Sequence, residues 1–339
     1  MISLPSSAIF DLAFRFATVG LLLMMMVLNI KNPAPVVKRT AVLLLLTCVS
    51  AYLLLTLPIE DEYYGWLRQP LLLFTDLTAF AILFYVQTQL QPKWHWRDSP
   101  FWISAPILGW CVFLAWFFLF TPGSGLIHDI SHVVGMAVLL WVVYRCISGY
   151  QDDLVDKRRQ MRLKLSIGIG SYMALLTLFE LFLHQIRNTA AFGMVNAMIM
   201  FVLVFWVILR NIHLTAEQPV DKPKKAANSN NPQLAKLEEF MQQGGFREEQ
   251  LSIGKLAEHI NMPEHQLRKL INQQLGFSNF SHYLNSYRIP AMCEKLKSAD
   301  KSLPILTLAL DMGYGSVATF NRAFKQQIGV TPTEYRDQF

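Results

Sequence analysis

The sequence predicts an all-α protein in two parts: a bundle of seven membrane-spanning helices, then a water-soluble helical domain built around two helix-turn-helix units. Three observations carry the prediction. Hydrophobic residues fill 53% of the 339 positions and charged residues only 16%, against about 25% charged in an ordinary soluble chain. Apolar runs long enough to cross a bilayer recur seven times before residue 211. Beyond residue 231 they give way to short amphipathic helical patterns with tight turns and no period-2 alternation.

Charge divides near residue 214. Residues 1–214 hold 15 Lys+Arg and 11 Asp+Glu, mostly in the gaps between apolar runs, whereas residues 215–339 hold 15 and 13, spread as on a soluble domain. The net charge is +6 and the isoelectric point near 9.1. The soluble part carries only +2 of it, so binding to a polyanion rests on a local basic face. The four cysteines, Cys48, Cys111, Cys146 and Cys293, form no CxxC or Cys/His spacing, which argues against a disulfide framework and a structural zinc finger. The first apolar run lacks a basic n-region and a small-residue cleavage site, so no cleaved signal peptide is expected.

A hydrocarbon core about 30 Å thick needs ~20 apolar helical residues, and a helix pairs its backbone amides within one segment. The runs are about Phe10–Leu28, Ala41–Leu57, Leu71–Leu90, Phe101–Phe120, His128–Ile147, Leu165–His184 and Ala190–Arg210. Lys and Arg in the short connections orient them. The odd connections carry eleven, among them Lys31, Lys38, Arg39, Lys93, Arg97 and six from Arg145 to Lys164, and the even ones carry two, Arg68 and Arg187. The odd connections therefore face the cytoplasm, the N-terminus lies outside and the C-terminus inside.

That orientation places several ionisable residues in the outer third of the bundle: Arg15, Asp76, His128, Asp129, His132, Glu180 and His184. His128 and His132 stand four apart, as do Glu180 and His184, so each pair shares a helical face. Ionisable groups at membrane depth are costly and face the bundle or a wet cavity. One expectation is an outward-open ligand pocket lined by Arg15, Asp76, His128, His132, Glu180 and His184, sensing an external small molecule or protons. A second is a set of helix-end residues reaching the interface, with Arg15 paired to Asp76. A divalent metal is a third, but no contiguous HExxH-type motif accompanies it, so no metal, cofactor or catalytic residue is assigned.

Residues 1–211 thus read as a sensory membrane domain and 212–231 as a flexible linker. Pro219, Pro223, the Lys224-Lys225 pair and an Asn/Ser run oppose a stable helix there. A flexible chain of that length spans roughly 25 Å, too loose for a lever. Coupling through it fits dimerisation or sequestration instead.

Residues 232–339 form the second domain. A helix over about Pro232–Gln243 stops at Gly244-Gly245, and Ser252 caps a short helix through Ile260. Pro263 opens a helix to Leu275, a helix-turn-helix spacing. The arrangement recurs: Pro304–Met312, the turn Gly313-Tyr314-Gly315, the N-cap Ser316, and Val317–Gln327 ending at Gly329. A helix over about Asn279–Ser298 joins the units, with a kink expected at Pro290. Leu256, Leu267, Ile271, Phe320 and Phe324 are expected in the core. Two such units on one bar suit successive major grooves about 34 Å apart.

The run from Leu308 to Lys325, then Gly329-Val330-Thr331-Pro332-Thr333-Glu334-Tyr335-Arg336, resembles the C-terminal signature of the AraC/XylS family of bacterial transcription regulators. Leu251–Leu275 resembles that family's first reading unit, and Arg288-Ile289 the start of its linker-helix motif. The resemblance implies double-stranded DNA as partner. It implies contacts from His265, Arg268 and Lys269 in the first unit and Thr319 and Arg322 in the second. Arg268 forks onto guanine in this reading, and Lys269 neutralises phosphate. Val317 and Ala318 replace the longer polar readers common there, so the first unit carries more sequence information. The whole chain then reads as a one-component regulator in the bacterial inner membrane, not an enzyme. Its partners are the lipid bilayer, DNA, an unidentified small-molecule or proton signal and a second copy of itself in a homodimer. A membrane enzyme or transporter with a regulatory DNA-binding appendage is the alternative.

Overall fold

The computed structural model describes residues 6–57, 59–91, 101–121, 123–182, 190–216, 231–298 and 303–339. No strand occurs among the described residues; Asp153 and Asn279 form an isolated antiparallel bridge. The chain falls into two compact units, Met1–Cys146 with Lys164–Asp221, and Ile147–Leu163 with Lys222–Phe339. The second unit therefore includes a segment from the connection expected between the fifth and sixth membrane helices.

In chain order the first helices are α1 (Ser6–Ile30), α2 (Val36–Leu55), α3 (Arg68–Asp76), α4 (Thr78–Leu90), α5 (Phe101–Phe120), α6 (Leu126–Ser148), α7 (Asp156–Phe182) and α8 (Ala190–Ala216). Among the described residues four helices, α1 from Ala8 together with α2, α5 and α6, are long and apolar enough to cross a bilayer. The count rises to five if the bent pair Asp61–Asp76 and Thr78–Leu90 forms one span. Leu22 packs with Leu46 and Leu53 of α2 and with Met200 and Val204 of α8. Phe118 lies in a second cluster that joins α3, α4, α5 and α6 through Leu72, Phe80 and Val134. Large apolar side chains such as Trp102, Phe120, Tyr144 and Trp206 point outward, as on a surface whose solvent is lipid.

The third apolar run departs from the expected single helix. It breaks at Leu77, where α3 and α4 meet at a 45° bend. Thr75 and Thr78 each return a hydroxyl hydrogen bond to the carbonyl four residues back, at 2.8 and 3.3 Å, a pattern that bends helices. At the other end of the bundle, α8 continues to Ala216, past Ile212, where the linker was expected to start.

The second unit contains α9 (Pro232–Gln242), α10 (Ile253–His259), α11 (Glu264–Lys269), α12 (Phe280–Ser298), α13 (Ile305–Asp311), α14 (Val317–Ile328) and α15 (Pro332–Arg336). Side-chain caps set the starts: Ser252 accepts from the Lys255 amide, Ser316 from that of Thr319, and Thr331 forms a capping box with Glu334. Pro263 stands at the N-cap, one position earlier than expected, and α11 passes into a π-helical turn over Leu270–Gln274. Asn272 fastens that turn by donating to the Phe277 carbonyl at 2.9 Å. The connecting helix α12 runs unbroken through Pro290, so the expected interruption does not occur.

Leu256, Leu267, Ile271, Phe320 and Phe324 are fully buried in one core, and Leu154 joins them from the α6–α7 connection. Arg288, on α12, ties the segment before α10 to the turn of the second reading unit. Its guanidinium donates to the carbonyls of Phe246 and Glu248 at 2.7 and 3.1 Å and lies over the Tyr314 ring. Burial lowers the Arg288 pKa from its ordinary value and raises that of Tyr314 to about 12. Gly313 makes this brace possible. At φ +80° a Cβ there would stand 2.6 and 2.7 Å from the carbonyls of Arg247 and Glu248.

Candidate functional site

The second reading helix, α14, is amphipathic. Phe320 and Phe324 anchor its inner face while Thr319 and Arg322 stand exposed on the other. Ser316 caps it, and its hydroxyl lies 3.0 Å from that of Thr319. Both side chains assigned to DNA in this unit are therefore presented outward.

The first reading helix, α11, is different. His265 and Lys269 are exposed, but Arg268 is only 2% exposed. Its Nε donates to Glu264 Oε1 at 2.9 Å, one turn earlier in the same helix. Its Nη1 donates to the main-chain carbonyls of Gln151 and Asp153, at 2.8 and 2.9 Å. All three acceptors take the edges with which a guanidinium would fork onto a guanine. The family resemblance implied a DNA contact from Arg268, and the structure covers that side chain with another part of the chain.

The covering segment is built into the domain. Asp152 holds the start of α12: its carbonyl accepts from the Phe280 amide at 2.9 Å and its Oδ1 from the Ser281 amide at 2.9 Å. Asn279 Nδ2 donates to Asp152 Oδ2 at 2.6 Å. A carboxylate there satisfies orphan amides at the positive end of a helix. The Leu154 amide donates to the Ser278 carbonyl at 3.2 Å. Asp153 is 1% exposed, and Arg158 and Arg162 neutralise its carboxylate at 2.5 and 2.9 Å. Two of the six basic residues counted as orienting charge thus also hold this segment in shape. Nothing in the sequence spacing announced the contact, because Arg268 bonds to main-chain atoms more than a hundred residues away.

In the first unit the expected pocket residues divide. Arg15 lies at 2% exposure against Asp11, Nε to Oδ2 at 2.9 Å, and its Nη1 donates to Thr56 Oγ1 and the Leu53 carbonyl. Asp11 was overlooked, although its i,i+4 spacing to Arg15 was a visible signal. Asp76 pairs instead with α6. Ser131 Oγ donates to Asp76 Oδ1 in a short hydrogen bond. His128 Nδ1 lies 3.6 Å from Asp76 Oδ2, and His132 Nδ1 lies 4.0 Å from Oδ1. The two imidazoles approach to 3.2 Å between their Nε2 atoms. Asp76, His128 and His132 therefore come together, and Arg15 stands elsewhere. Glu180 and His184 lie outside the residues whose side chains are described.

Comparison with known proteins bears on the second unit. A protein-family model described as a helix-turn-helix domain matches residues 256–338. An uncharacterized HTH-type transcriptional regulator of Staphylococcus aureus is 36% identical over 88 residues, which are 26% of this chain and 11% of that protein. The chain thus spans about a tenth of the length of such relatives. The multiple antibiotic resistance protein MarA of Salmonella typhimurium is 32% identical over 89 residues, 26% of this chain and 68% of MarA. Among solved structures, the C-terminal domain of AraT, a response regulator from Geobacillus stearothermophilus, is 31% identical. That match covers 33% of this chain and 89% of the AraT domain, with a TM-score of 0.30.

Proposed function

Through its C-terminal domain the chain belongs to the AraC-type helix-turn-helix regulators, and from that premise we propose that it is a membrane-embedded one-component transcription regulator. In this reading residues 1–211 are a seven-span sensory domain of the bacterial inner membrane, with the N-terminus outside. Residues 212–231 tether it to a cytoplasmic DNA-binding domain over 232–339. The apolar exterior and the charge asymmetry of the connections support embedding and orientation. His265, Lys269, Thr319 and Arg322 contact DNA from an exposed face, and a homodimer sets two modules on adjacent half-sites, which raises their effective concentration.

The observation that carries the sensing half of the proposal is the bond from Arg268 to the carbonyls of Gln151 and Asp153. The segment that holds Arg268 is continuous with α6 and α7. A signal that moves those helices also moves the cover on the first reading helix. With the segment docked, Arg268 is spent on protein carbonyls; with it released, the guanidinium is free for a base edge. The linker need transmit no torque, because the connection does the gating.

Selection of bound fragments from a random DNA pool, with full-length chain in bilayer discs at fixed salt, tests the regulator reading. A two-part motif about one helical turn between halves supports it. Failure of both the wild type and an Asp152→Ala variant to enrich any sequence above bulk DNA overturns it. Side-specific cysteine labelling tests orientation: positions 38 and 157 are expected to react from the cytoplasmic side only.

A further inference from the structure

Asp76, His128 and His132 each offer one ligand atom, and the three atoms lie within 4.8 Å of one another. We propose that they bind a divalent transition-metal ion of the zinc class, and that this ion is the signal the membrane domain detects. The binding site stands on its own geometry; only the ion's role as signal rests on the sensor reading above.

Four features converge. First, α3 ends at Asp76, at the 45° break in the third apolar run. The carbonyl end of a helix carries partial negative charge and favours a cation, and broken helices in membranes place such ends at ion sites. Second, Ser131 Oγ donates to Asp76 Oδ1 and orients the carboxylate, while Oδ2 is buried without a hydrogen-bond partner. His128 Nδ1, 3.6 Å away, is buried and unpartnered too. Two facing buried polar atoms without hydrogen-bond partners are costly, and one cation between them satisfies both.

Third, the spacings suit coordination. His128 Nδ1 stands 3.6 Å from Asp76 Oδ2, and the ligand atoms of all three residues lie within 4.8 Å of one another. Metal–ligand bonds of ~2.0–2.1 Å in a tetrahedron set neighbouring ligand atoms roughly 3.3 Å apart. Fourth, the site is open on one side. The His132 side chain is 61% exposed while that of Asp76 is 2% exposed, so an ion enters past His132 and keeps a position for water or an external ligand.

The donor set selects the class of ion. Two imidazoles and one carboxylate suit zinc, iron(II), cobalt(II) or nickel(II), whereas calcium and magnesium prefer all-oxygen shells. Ser131 Oγ also lies 2.7 Å from the His128 carbonyl, and the Phe118 ring stands edge-on to His128. Both fix the ligands from behind, which is how outer groups raise metal affinity.

The test is a cobalt(II) titration of full-length protein carrying a tag without histidines, stripped with chelator in detergent and followed by visible absorption. One equivalent of saturable binding, displaced by zinc(II) and weakened tenfold or more in His132→Ala, is expected. His132 is exposed, so that variant keeps its fold; Asp76→Asn is the second variant, checked for folding by circular dichroism. No saturable absorption, or equal binding in His132→Ala, overturns the site. A reporter in cells exposed to zinc(II) separates the two layers. Zinc response lost in His132→Ala supports the signal role. Intact metal binding with no reporter response refutes that role alone. Reporter control that depends on His132 without any metal binding overturns the metal and leaves the sensor reading in place.

Discussion

Arg268 of the first reading helix donates to the main-chain carbonyl of Asp153 at 2.9 Å, so the residue best suited to read guanine is held by the connection between α6 and α7. Weakening that connection is expected to raise DNA affinity, not lower it. Asp152 fixes the segment through its bonds to Asn279, Phe280 and Ser281. Charge-assisted hydrogen bonds contribute about 1.5–3 kcal/mol each, so Asp152→Ala in the full-length chain should tighten specific DNA binding about tenfold or more, read by fluorescence anisotropy at fixed salt. Unchanged or weaker binding would show that the connection does not compete with DNA.

The same contact acts in trans. A fragment over 231–339 lacks Leu154 and Asp152, so a peptide of residues 147–163 should raise its thermal midpoint and reduce its DNA affinity together. An Asp152→Ala peptide should do neither at the same concentration. Calorimetry and anisotropy on one sample check both arms.

Gly313 tolerates no side chain. A Cβ would meet two main-chain carbonyls under the Arg288 brace, at a φ of +80°. Gly313→Ala should destabilise the DNA-binding domain by about 2 kcal/mol or more, read as a lower denaturant midpoint, while Gly315→Ala, with open space around it, should cost far less.

Breaking the Asp11–Arg15 pair should be worse than removing it. Both residues are almost wholly buried, and loss of one partner strands the other charge, at about 3–5 kcal/mol. Asp11→Ala should therefore lower the melting temperature in detergent more than the double change Asp11→Leu with Arg15→Met.

Glu334 gives a pH dependence. Its bonds to the Thr331 backbone and side chain hold its carboxyl below the usual 4.5. A carboxyl depressed on folding stabilises fully above its unfolded value, and that contribution is lost as pH falls through the folded one. Amide-exchange protection factors in α15 should fall below about pH 4.5 in the wild type, and Thr331→Ala should remove that acid-sensitive step.

Much of the second unit was legible from local chemistry. Ser252 and Ser316 announce helix starts, and Phe320 with Phe324 announce a buried face, because caps and amphipathic spacing act within a turn. The first unit was legible as apolar runs, less so in detail. The break at Asp76 depends on threonines bonding back to carbonyls, and hydropathy does not register that. Arg15 and Asp76 look equivalent as isolated charges at similar depth, yet one finds Asp11 and the other finds α6. The docking of Arg268 went unforeseen for the plainest reason: its partners are carbonyls, which every residue carries, so no side-chain pattern marks them.

Leu154 has a consequence for how such a protein can be rebuilt. A side chain from the connection between α6 and α7 fills a place in the core of the domain that begins about eighty residues later. That domain is not a cassette. Transplanted onto another N-terminal half, residues 231–339 would carry a hole where Leu154 sat and an α12 without the Asp152 bonds to its start. During synthesis the connection leaves the ribosome first and waits, half-formed, for the sequence that completes it. Swaps in this architecture must carry residues 147–163 along with the C-terminal domain, which makes the two parts one inherited unit despite the distance between them in the chain.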